Sequence, residues 1–79
     1  MSFTLYTGPG CGKCISAKNL LNRLGLEYTE ISARENKEEL VARVAAAGYP
    51  APQTIPQVFF GDMFVPGGSD GLHEFVKTL

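Results

Sequence analysis

Two cysteines separated by two residues stand where the chain changes from a strand pattern to a helix pattern. Cys11 and Cys14 follow residues 2–7, a short run of aromatic and β-branched residues, and the turn signal Gly8-Pro9-Gly10. From Cys11 onward, apolar residues recur at the spacing of one helix face: Ala17, Leu20, Leu21 and Leu24. Two thiols at such a junction can close a small disulfide or act one after the other as nucleophiles.

The cysteine pair is poorly suited to holding a fold together. The chain of 79 residues has 2 cysteines, and a bridge that closes so short a loop restricts the unfolded chain very little. Small secreted domains instead carry several bridges across long loops. Because the first residues also lack a cationic segment followed by a long apolar stretch, we expect a cytoplasmic protein.

Charge and length exclude several classes of protein. The formal net charge is −1 and no run of Lys or Arg occurs, so neither nucleic-acid binding nor binding to an anionic membrane is predicted. No apolar run approaches the length of a transmembrane helix. A chain of this size is near the lower limit for independent folding, and we predict one domain over residues 1–79.

The middle of the chain continues the alternation of helix and strand. Gly25 is the expected end of the first helix, and residues 26–31 alternate apolar and polar positions as a strand does. A second helix is predicted over residues 36–47, begun by a capping box between Asn36 and Glu39. Its predicted buried stripe comprises Leu40, Val41, Val44 and Ala45.

The last third of the chain predicts a hairpin and a helix. Two apolar runs, residues 57–60 and 63–65, are joined at Gly61-Asp62. Ser69 is the predicted N-cap of a last helix with Asp70 in its first turn, and the predicted inward face comprises Leu72, Phe75, Val76 and Leu79.

The resulting order is β-α-β-α-β-β-α. The first strand, helix and second strand form a βαβ unit with parallel strands, and the hairpin makes the sheet mixed. We therefore predict an α/β protein with a thioredoxin-like fold, in which three helices flank a four-stranded mixed sheet.

The chain resembles a glutaredoxin over nearly its whole length. Three motifs in the family's order carry the resemblance: Cys11-x-x-Cys14, the TIPQVF sequence of residues 54–59, and the GGSD sequence of residues 67–70. The resemblance implies an enzyme that uses glutathione as co-substrate to reduce protein disulfides and glutathione mixed disulfides. Cys11 and Cys14 are its catalytic residues, the first as nucleophile and the second as resolving thiol.

The place of Cys11 at a helix start suits this role. Its sulfur faces unpaired backbone N–H groups and the positive end of the helix dipole, which stabilise a thiolate. We therefore expect its pKa to lie below the value of about 8.5 for a free cysteine. A lowered pKa makes Cys11 a good leaving group when a second thiol attacks its mixed disulfide.

The resemblance also implies where glutathione binds. It places a cis peptide bond at Ile55-Pro56, which turns the Ile55 backbone towards the substrate. A Gly-rich helix start can bind the carboxylate of the γ-glutamyl end, and an acidic side chain there can accept from its ammonium. Ser69 and Asp70 also fit a role limited to capping the helix. The predicted contacts are Lys13, Gln53, Thr54, Ile55, Pro56, Gly68, Ser69 and Asp70.

Several positions depart from the family's pattern. Gly12-Lys13 replaces the usual Pro-Tyr, and Gly71 stands where a second acidic residue often follows Asp70. The usual basic residue before the first cysteine is also absent, which makes Lys13 or Gln53 the candidate partner of the glycyl carboxylate. Lys13 fits equally a role in stabilising the Cys11 thiolate, or no role beyond solvation.

The glycine after Cys11 leaves a first alternative open. Glutaredoxins that lack the usual proline include members that hold a [2Fe-2S] cluster between two subunits. A second alternative is a redoxin reduced by thioredoxin reductase, although the chain has no Trp at residues 67–70, where such proteins usually carry one. Apart from these alternatives we expect a monomer. A zinc site is not expected, because the two cysteines and His73, a predicted surface residue, supply at most three ligands. Its implied partners are glutathione, disulfide-bonded or glutathionylated proteins, and ribonucleotide reductase.

Overall fold

The structure, a computed structural model that describes residues 2–79, confirms the predicted fold class and order of elements. The boundaries lie within two residues of their predictions, except that the last helix ends at Val76 and does not reach Leu79. The elements are β1 (Phe3–Thr7), α1 (Gly12–Leu24), β2 (Tyr28–Ser32), α2 (Lys37–Ala46), β3 (Gln57–Phe60), β4 (Met63–Val65) and α3 (Gly68–Val76).

The four strands form one mixed sheet in the order β2-β1-β3-β4. β1 pairs in parallel with β2, from Phe3 opposite Tyr28 to Thr7 opposite Ser32. β1 pairs antiparallel with β3, and β3 pairs antiparallel with β4 across the predicted hairpin. The predicted βαβ unit is therefore present, and the cysteines follow the carboxyl end of a central strand.

Each face of the sheet supports its own hydrophobic core, because successive strand residues point to opposite faces. The face that carries Phe3, Leu5 and Val58 packs against α1 and α3. The opposite face carries Tyr6 and Phe59 and packs against α2. The helix residues buried in these cores are Ala17, Leu20, Leu21 and Leu72 on the first face, and Leu40 and Val44 on the second.

A polar network fastens α2 to the second face. The hydroxyl of the buried Tyr6 donates to Glu39 Oε2 at 2.5 Å and accepts from Arg43 Nη1 at 3.0 Å. Arg43 also donates to the Gly61 carbonyl at 3.3 Å, and its guanidinium lies 3.9 Å from the ring centroid of Phe59. Burial and the bond to Glu39 raise the pKa of Tyr6 above its usual value.

This network explains why the predicted capping box is wrong. The side chain of Asn36 makes no capping bond to α2 and instead donates to the Ser32 carbonyl at 2.9 Å. Glu39 does not reach back to the helix start, because its carboxylate accepts from Tyr6, 33 residues away in sequence.

Three predicted core positions are also wrong, since Leu24, Ala45 and Leu79 are exposed. Leu24 is the last residue of α1, and the chain turns away at Gly25 in the left-handed conformation predicted for a helix end. Leu79 follows the end of α3 and has no helix to direct it inward.

Within the described residues, no helix is both long and apolar enough to cross a membrane.

Candidate functional site

The start of α1 is built around a sulfur atom. Cys11 is the N-cap, with an extended backbone (φ −106°, ψ 104°), and its Sγ accepts a hydrogen bond from the Cys14 N–H at 3.1 Å. The sulfur thus occupies the place that a Ser or Asp oxygen has in most N-caps. An N–H directed at this sulfur stabilises the thiolate that reduction releases. The predicted position of Cys11 at the mouth of the helix is confirmed.

The two cysteines are joined as a disulfide, with Cα atoms 5.2 Å apart, a separation typical of such bonds. Their accessibility differs. Cys11 is partly exposed, whereas Cys14 lies one turn inside α1 and is 2% exposed. A substrate therefore reaches Cys11 first, and Cys14 is positioned to react with the sulfur of Cys11.

The loop before β3 lies against the cysteines. The Ile55-Pro56 peptide bond is cis, which confirms the prediction. The carbonyl oxygen of Ile55 lies 3.8 Å from Cys11 Sγ. Inside the loop, Gln57 Nε2 donates to the Thr54 carbonyl at 2.8 Å. The loop thereby brings backbone groups of Ile55 next to the reactive sulfur, although 44 residues separate Ile55 from Cys11.

The start of α3 differs from its prediction. Gly67, with a φ of 95°, is the N-cap, and no side chain caps this helix within the described chain. Gly68 also has a positive φ of 59°, so glycine conformations begin the helix before Ser69. Ser69 consequently lies in the first turn and is 5% exposed. The predicted capping role of Ser69 is therefore wrong, while Asp70 is in the first turn as predicted.

A cavity of about 350 Å³ lies between α1, the loop before β3 and the start of α3, and we call it the α3 cavity. Lys13 and Asp70 are the charged residues that line it among the described residues. Its full lining is Lys13, Thr54, Ile55, Gln57, Gly67, Gly68, Ser69 and Asp70. Six of the eight predicted glutathione contacts therefore surround one space beside the disulfide.

The other two predicted contacts do not line this cavity. Gln53 lines a second cavity of about 220 Å³ against α2, which we call the α2 cavity. Pro56 is fully buried, so its side chain is not available to a ligand. Lys13, which faces the α3 cavity, and Gln53 thus lie at different cavities, and both remain predictions as partners of the glycyl carboxylate.

Comparison with known proteins gives the family. The family model described as Glutaredoxin matches residues 3–65. The chain belongs to the glutaredoxin family. A glutaredoxin from Pseudomonas aeruginosa is 41% identical over 74 residues, which cover 94% of this chain and 83% of that protein.

Solved structures agree with this assignment. Reduced Escherichia coli glutaredoxin has a TM-score of 0.76 with 28% identity, covering 99% of this chain and 95% of that one. The buckwheat glutaredoxin–glutathione complex has a TM-score of 0.70 with 25% identity, covering 96% of this chain and 68% of that one. Family, fold and the Cys11–Cys14 pair together make this glutaredoxin a thiol–disulfide oxidoreductase.

The structure explains why this glutaredoxin has a glycine after Asp70. A Cβ atom on Gly71 would lie 1.8 Å from the carbonyl oxygen and 2.8 Å from the carbonyl carbon of Pro66. The Gly71 N–H also donates to the Gly67 carbonyl at 2.9 Å, in the first turn of α3. Because the contacting atoms of Pro66 belong to its backbone, no side chain fits at position 71 without moving the start of α3.

Sequence reasoning missed two residues that support the loop before β3. Gln57 is 8% exposed and holds the Thr54 carbonyl; its place directly after the proline of the TIPQVF motif was the available signal. Gly8 packs against Ile55, since a Cβ there would lie 2.9 Å from Ile55 Cδ1. No sequence signal distinguishes that contact from an ordinary turn glycine.

A second polar group joins α1 to the sheet. Glu30 Oε2 accepts from Thr7 Oγ1 at 2.6 Å and from Lys18 Nζ at 3.0 Å. These two donors, Thr7 first, lower the pKa of Glu30 below its usual value. The side chains of Lys18 and Glu30 are 29% and 41% exposed, so their attraction contributes less than about 1 kcal/mol to stability.

His73 is half-buried rather than on the open surface, and its Nδ1 lies 2.8 Å from the Ser69 carbonyl oxygen. Over residues 2–79, no three His, Cys, Asp or Glu side chains are grouped so that they could hold a metal ion.

Proposed function

We propose that this glutaredoxin is a glutathione-dependent oxidoreductase that reduces glutathione mixed disulfides and protein disulfides through its Cys-Gly-Lys-Cys site. The observation that supports the proposal best is the joint geometry of sulfur and cavity. The partly exposed Cys11 sulfur lies 3.8 Å from the Ile55 carbonyl, and Ile55 lines the α3 cavity that also presents Lys13 and Asp70. The likeness to a glutaredoxin–glutathione complex supports the same ligand.

For a glutathionylated substrate, the Cys11 thiolate attacks the glutathione sulfur of the mixed disulfide. A bond forms between Cys11 and glutathione, and the substrate thiolate leaves and takes up a proton from water. A second glutathione thiolate then attacks the bound glutathione sulfur, which releases glutathione disulfide and restores the Cys11 thiolate. The Cys14 N–H, 3.1 Å from Cys11 Sγ, stabilises that leaving thiolate.

For a protein disulfide, Cys11 attacks one substrate sulfur and the other substrate sulfur leaves. The Cys14 thiolate then attacks Cys11 Sγ, which releases the reduced substrate and forms the Cys11–Cys14 disulfide seen in the structure. Two glutathione molecules reduce this disulfide and become glutathione disulfide. Burial of Cys14 restricts its attack to the neighbouring sulfur.

The charges of the α3 cavity match the γ-glutamyl end of glutathione, which carries one carboxylate and one ammonium. In the proposal, Asp70 accepts from the ammonium, while Lys13 and the N–H groups at the start of α3 attract the carboxylate. Thr54 and Ile55 line the same cavity, and the backbone of Ile55 aligns the reacting cysteine of the ligand beside Cys11.

A glutathione-coupled disulfide reductase assay on wild type, Cys11→Ser and Cys14→Ser tests this function. We expect Cys11→Ser to lose activity on every substrate. Cys14→Ser should lose reduction of protein disulfides and keep reduction of glutathione mixed disulfides. Full activity in Cys11→Ser would contradict the proposed nucleophile.

Two further measurements distinguish the alternatives. A wild type that is inactive with glutathione and active with thioredoxin reductase is a redoxin. A brown protein with charge-transfer absorption after anaerobic purification is a cluster-binding glutaredoxin.

We also propose that the protein acts in the cytoplasm, where thiols are kept reduced, and that ribonucleotide reductase is one of its electron acceptors. Purified ribonucleotide reductase, supplied with glutathione and this protein as its electron source, checks the latter directly.

A further inference from the structure

One exposed region beside the candidate site lies outside both cavities that carry predicted glutathione contacts. It comprises residues 45–51, which are all exposed and line neither the α2 cavity nor the α3 cavity. We call this region the Tyr49 surface. It connects the end of α2 to the loop before β3, and therefore leads towards Thr54 and Ile55 beside the reactive sulfur.

The Tyr49 surface carries no charge. The chain has 7 Lys or Arg and 8 Asp or Glu residues, and only Asp62 among them lies within residues 44–69. Charged side chains are almost always exposed, so an exposed segment of such a chain is expected to carry some of them. The centre of a protein interface, in contrast, is depleted of charged residues and enriched in aromatic ones such as Tyr. The composition of residues 45–51 is that of a surface for contact with a protein.

Tyr49 is the largest residue of this surface, and the core holds it in place. Its ring packs edge-on against Phe64 with centroids 5.0 Å apart, and Phe64 packs against the buried Phe59. The Tyr49 N–H donates to the Val44 carbonyl at 3.1 Å. Even so, Tyr49 is 44% exposed. A ring that is already fixed on one side loses little conformational freedom when a partner covers the other side, which favours its use as an anchor.

The Tyr49 surface is within reach of a protein that reacts with Cys11. The Ile55 carbonyl oxygen lies 3.8 Å from Cys11 Sγ, and Tyr49 precedes Ile55 in the segment that enters this loop. Because a chain extends at most about 3.6 Å per residue, Tyr49 lies within about 22 Å of Ile55. An interface of about 800 Å² per partner is about 30 Å across, so one partner can cover both places.

A protein substrate fits this surface better than glutathione or a second copy of the chain. Glutathione carries two carboxylates and one ammonium, which an uncharged surface cannot pair. A second copy bound through residues 45–51, most of which are small, would bury much less than the about 800 Å² per partner of a stable interface. A protein substrate needs a smaller contact, because its sulfur is held at Cys11 during the reaction.

We propose that the Tyr49 surface binds an uncharged, apolar patch of a protein substrate, next to the substrate sulfur that reacts at Cys11. This inference rests on the proposed function, because the patch is recognised on a protein whose sulfur reaches Cys11. The contact makes the enzyme selective among proteins and leaves its reaction with small glutathione mixed disulfides unchanged.

Two forms of one carrier protein test the inference. The carrier is a small helical protein whose single surface cysteine is glutathionylated. The exposed positions around this cysteine hold Leu and Ala in the apolar form, and equal numbers of Glu and Lys in the charged form. Mass spectrometry measures kcat/KM for the removal of glutathione from each form. The uncatalysed reaction of each form with glutathione corrects for thiol reactivity, and the mixed disulfide of glutathione with 2-mercaptoethanol is the reference substrate.

We expect wild type to prefer the apolar form about 10-fold, which corresponds to about 1.4 kcal/mol. Tyr49→Ser should remove most of this preference because the anchor ring is lost. Ala51→Glu and Ala51→Lys should do the same, because either charge loses its water against an apolar patch. Ala51 is exposed, so these variants also serve if Tyr49→Ser is unstable. Leu24→Glu is the matched control and should keep the preference, since Leu24 is 50% exposed at the end of α1, on the other face of the sheet.

The outcomes separate this inference from the proposed function. Equal kcat/KM for the two carrier forms, with turnover of the reference substrate intact, overturns the inference and leaves the function standing. A preference that survives both Tyr49→Ser and Ala51→Glu places the contact elsewhere and also overturns it. A wild-type dimer in sedimentation velocity that Ala51→Glu dissociates assigns the surface to a second copy, with the same consequence. Failure to turn over the reference substrate overturns the proposed function and this inference with it.

Discussion

The starts of α1 and α3 both border the α3 cavity, yet they are built in different ways. At α1, the sulfur of Cys11 accepts the Cys14 N–H and caps the helix. At α3, Gly67 begins the helix with a φ of 95°, and no side chain of the described residues caps it. The N–H groups at the start of each helix have no partner within the helix. At α1 such a group binds the reactive sulfur, and at α3, in our proposal, such groups bind a carboxylate of the ligand.

The two helix starts also differ in how tightly their glycines are packed. A Cβ on Gly12 would meet no atom within 4 Å, whereas one on Gly71 would meet the Pro66 carbonyl oxygen at 1.8 Å. Both glycines are departures from the family's pattern. Packing requires a glycine only at position 71. At position 12 a larger residue fits without a clash.

The largest expected effect is that of Gly71→Ala compared with Gly12→Ala. Overpacking against backbone costs about 1–3 kcal/mol, and the contact at position 71 is severe enough to outweigh the gain of about 1 kcal/mol from replacing a helical glycine. Urea denaturation should show Gly71→Ala destabilised by about 2 kcal/mol and Gly12→Ala unchanged or slightly more stable. Equal stabilities of the two variants would contradict the close packing of Gly71.

The next largest effect is expected at Asp70, in the first turn of α3. Asp70→Asn should raise the KM for glutathione substrates about 10-fold and leave kcat nearly unchanged, because the lost charge-assisted bond is present in ground and transition states alike. Steady-state kinetics of the coupled assay measure both constants. Glu74→Gln on the same helix is the control, since Glu74 is exposed and outside the cavity. A fall in kcat at constant KM would assign Asp70 a role other than binding.

A smaller effect is expected for Lys13, which belongs to α1 but lines the α3 cavity. Lys13→Gln should raise the same KM about 2- to 5-fold at low salt, and the difference should fade as salt screens an exposed charge. Kinetics at two ionic strengths check this. A change confined to the pH dependence of kcat would instead indicate that Lys13 acts on the Cys11 thiolate.

The smallest effect is on the attachment of α1 to the sheet. The pKa of Glu30 is lowered in the folded state, so its stabilising contribution is complete above the usual value of about 4.3 and is lost as the pH falls through the folded pKa. Glu30→Gln should therefore cost less than about 1 kcal/mol at pH 7. This difference from wild type should shrink as the pH falls from 5 to 3.

Urea denaturation at pH 7, 5 and 3.5 measures that difference. Glu27→Gln is the control, because the Glu27 side chain makes no hydrogen bond among those described. A difference between wild type and Glu30→Gln that stayed constant with pH would show that the Glu30 carboxylate is not stabilised by Thr7 and Lys18.

Much of the fold followed from local patterns. Apolar periodicity and turn residues predicted every element, with bounds within two residues of those observed except at the end of the last helix, and Gly25 ended α1 in the predicted conformation. The position of Cys11 at the start of a helix was also predicted from the sequence and is observed. The cis bond at Ile55-Pro56 was implied by family resemblance, not by the neighbouring residues. Side-chain partners were predicted less well, as Asn36, Glu39 and Ser69 show.

The sequence alone therefore determined the order of strands and helices and the inequality of the two cysteines, because periodicity, turn residues and helix ends act over a few neighbouring positions. Only the tertiary structure decided which groups meet across the sheet. It brought Ile55 to Cys11 over 44 residues and Glu39 to Tyr6 over 33, and it placed Lys13 and Gln53 at different cavities. Such contacts depend on how the helices pack on the two faces of the sheet, and no local spacing encodes that.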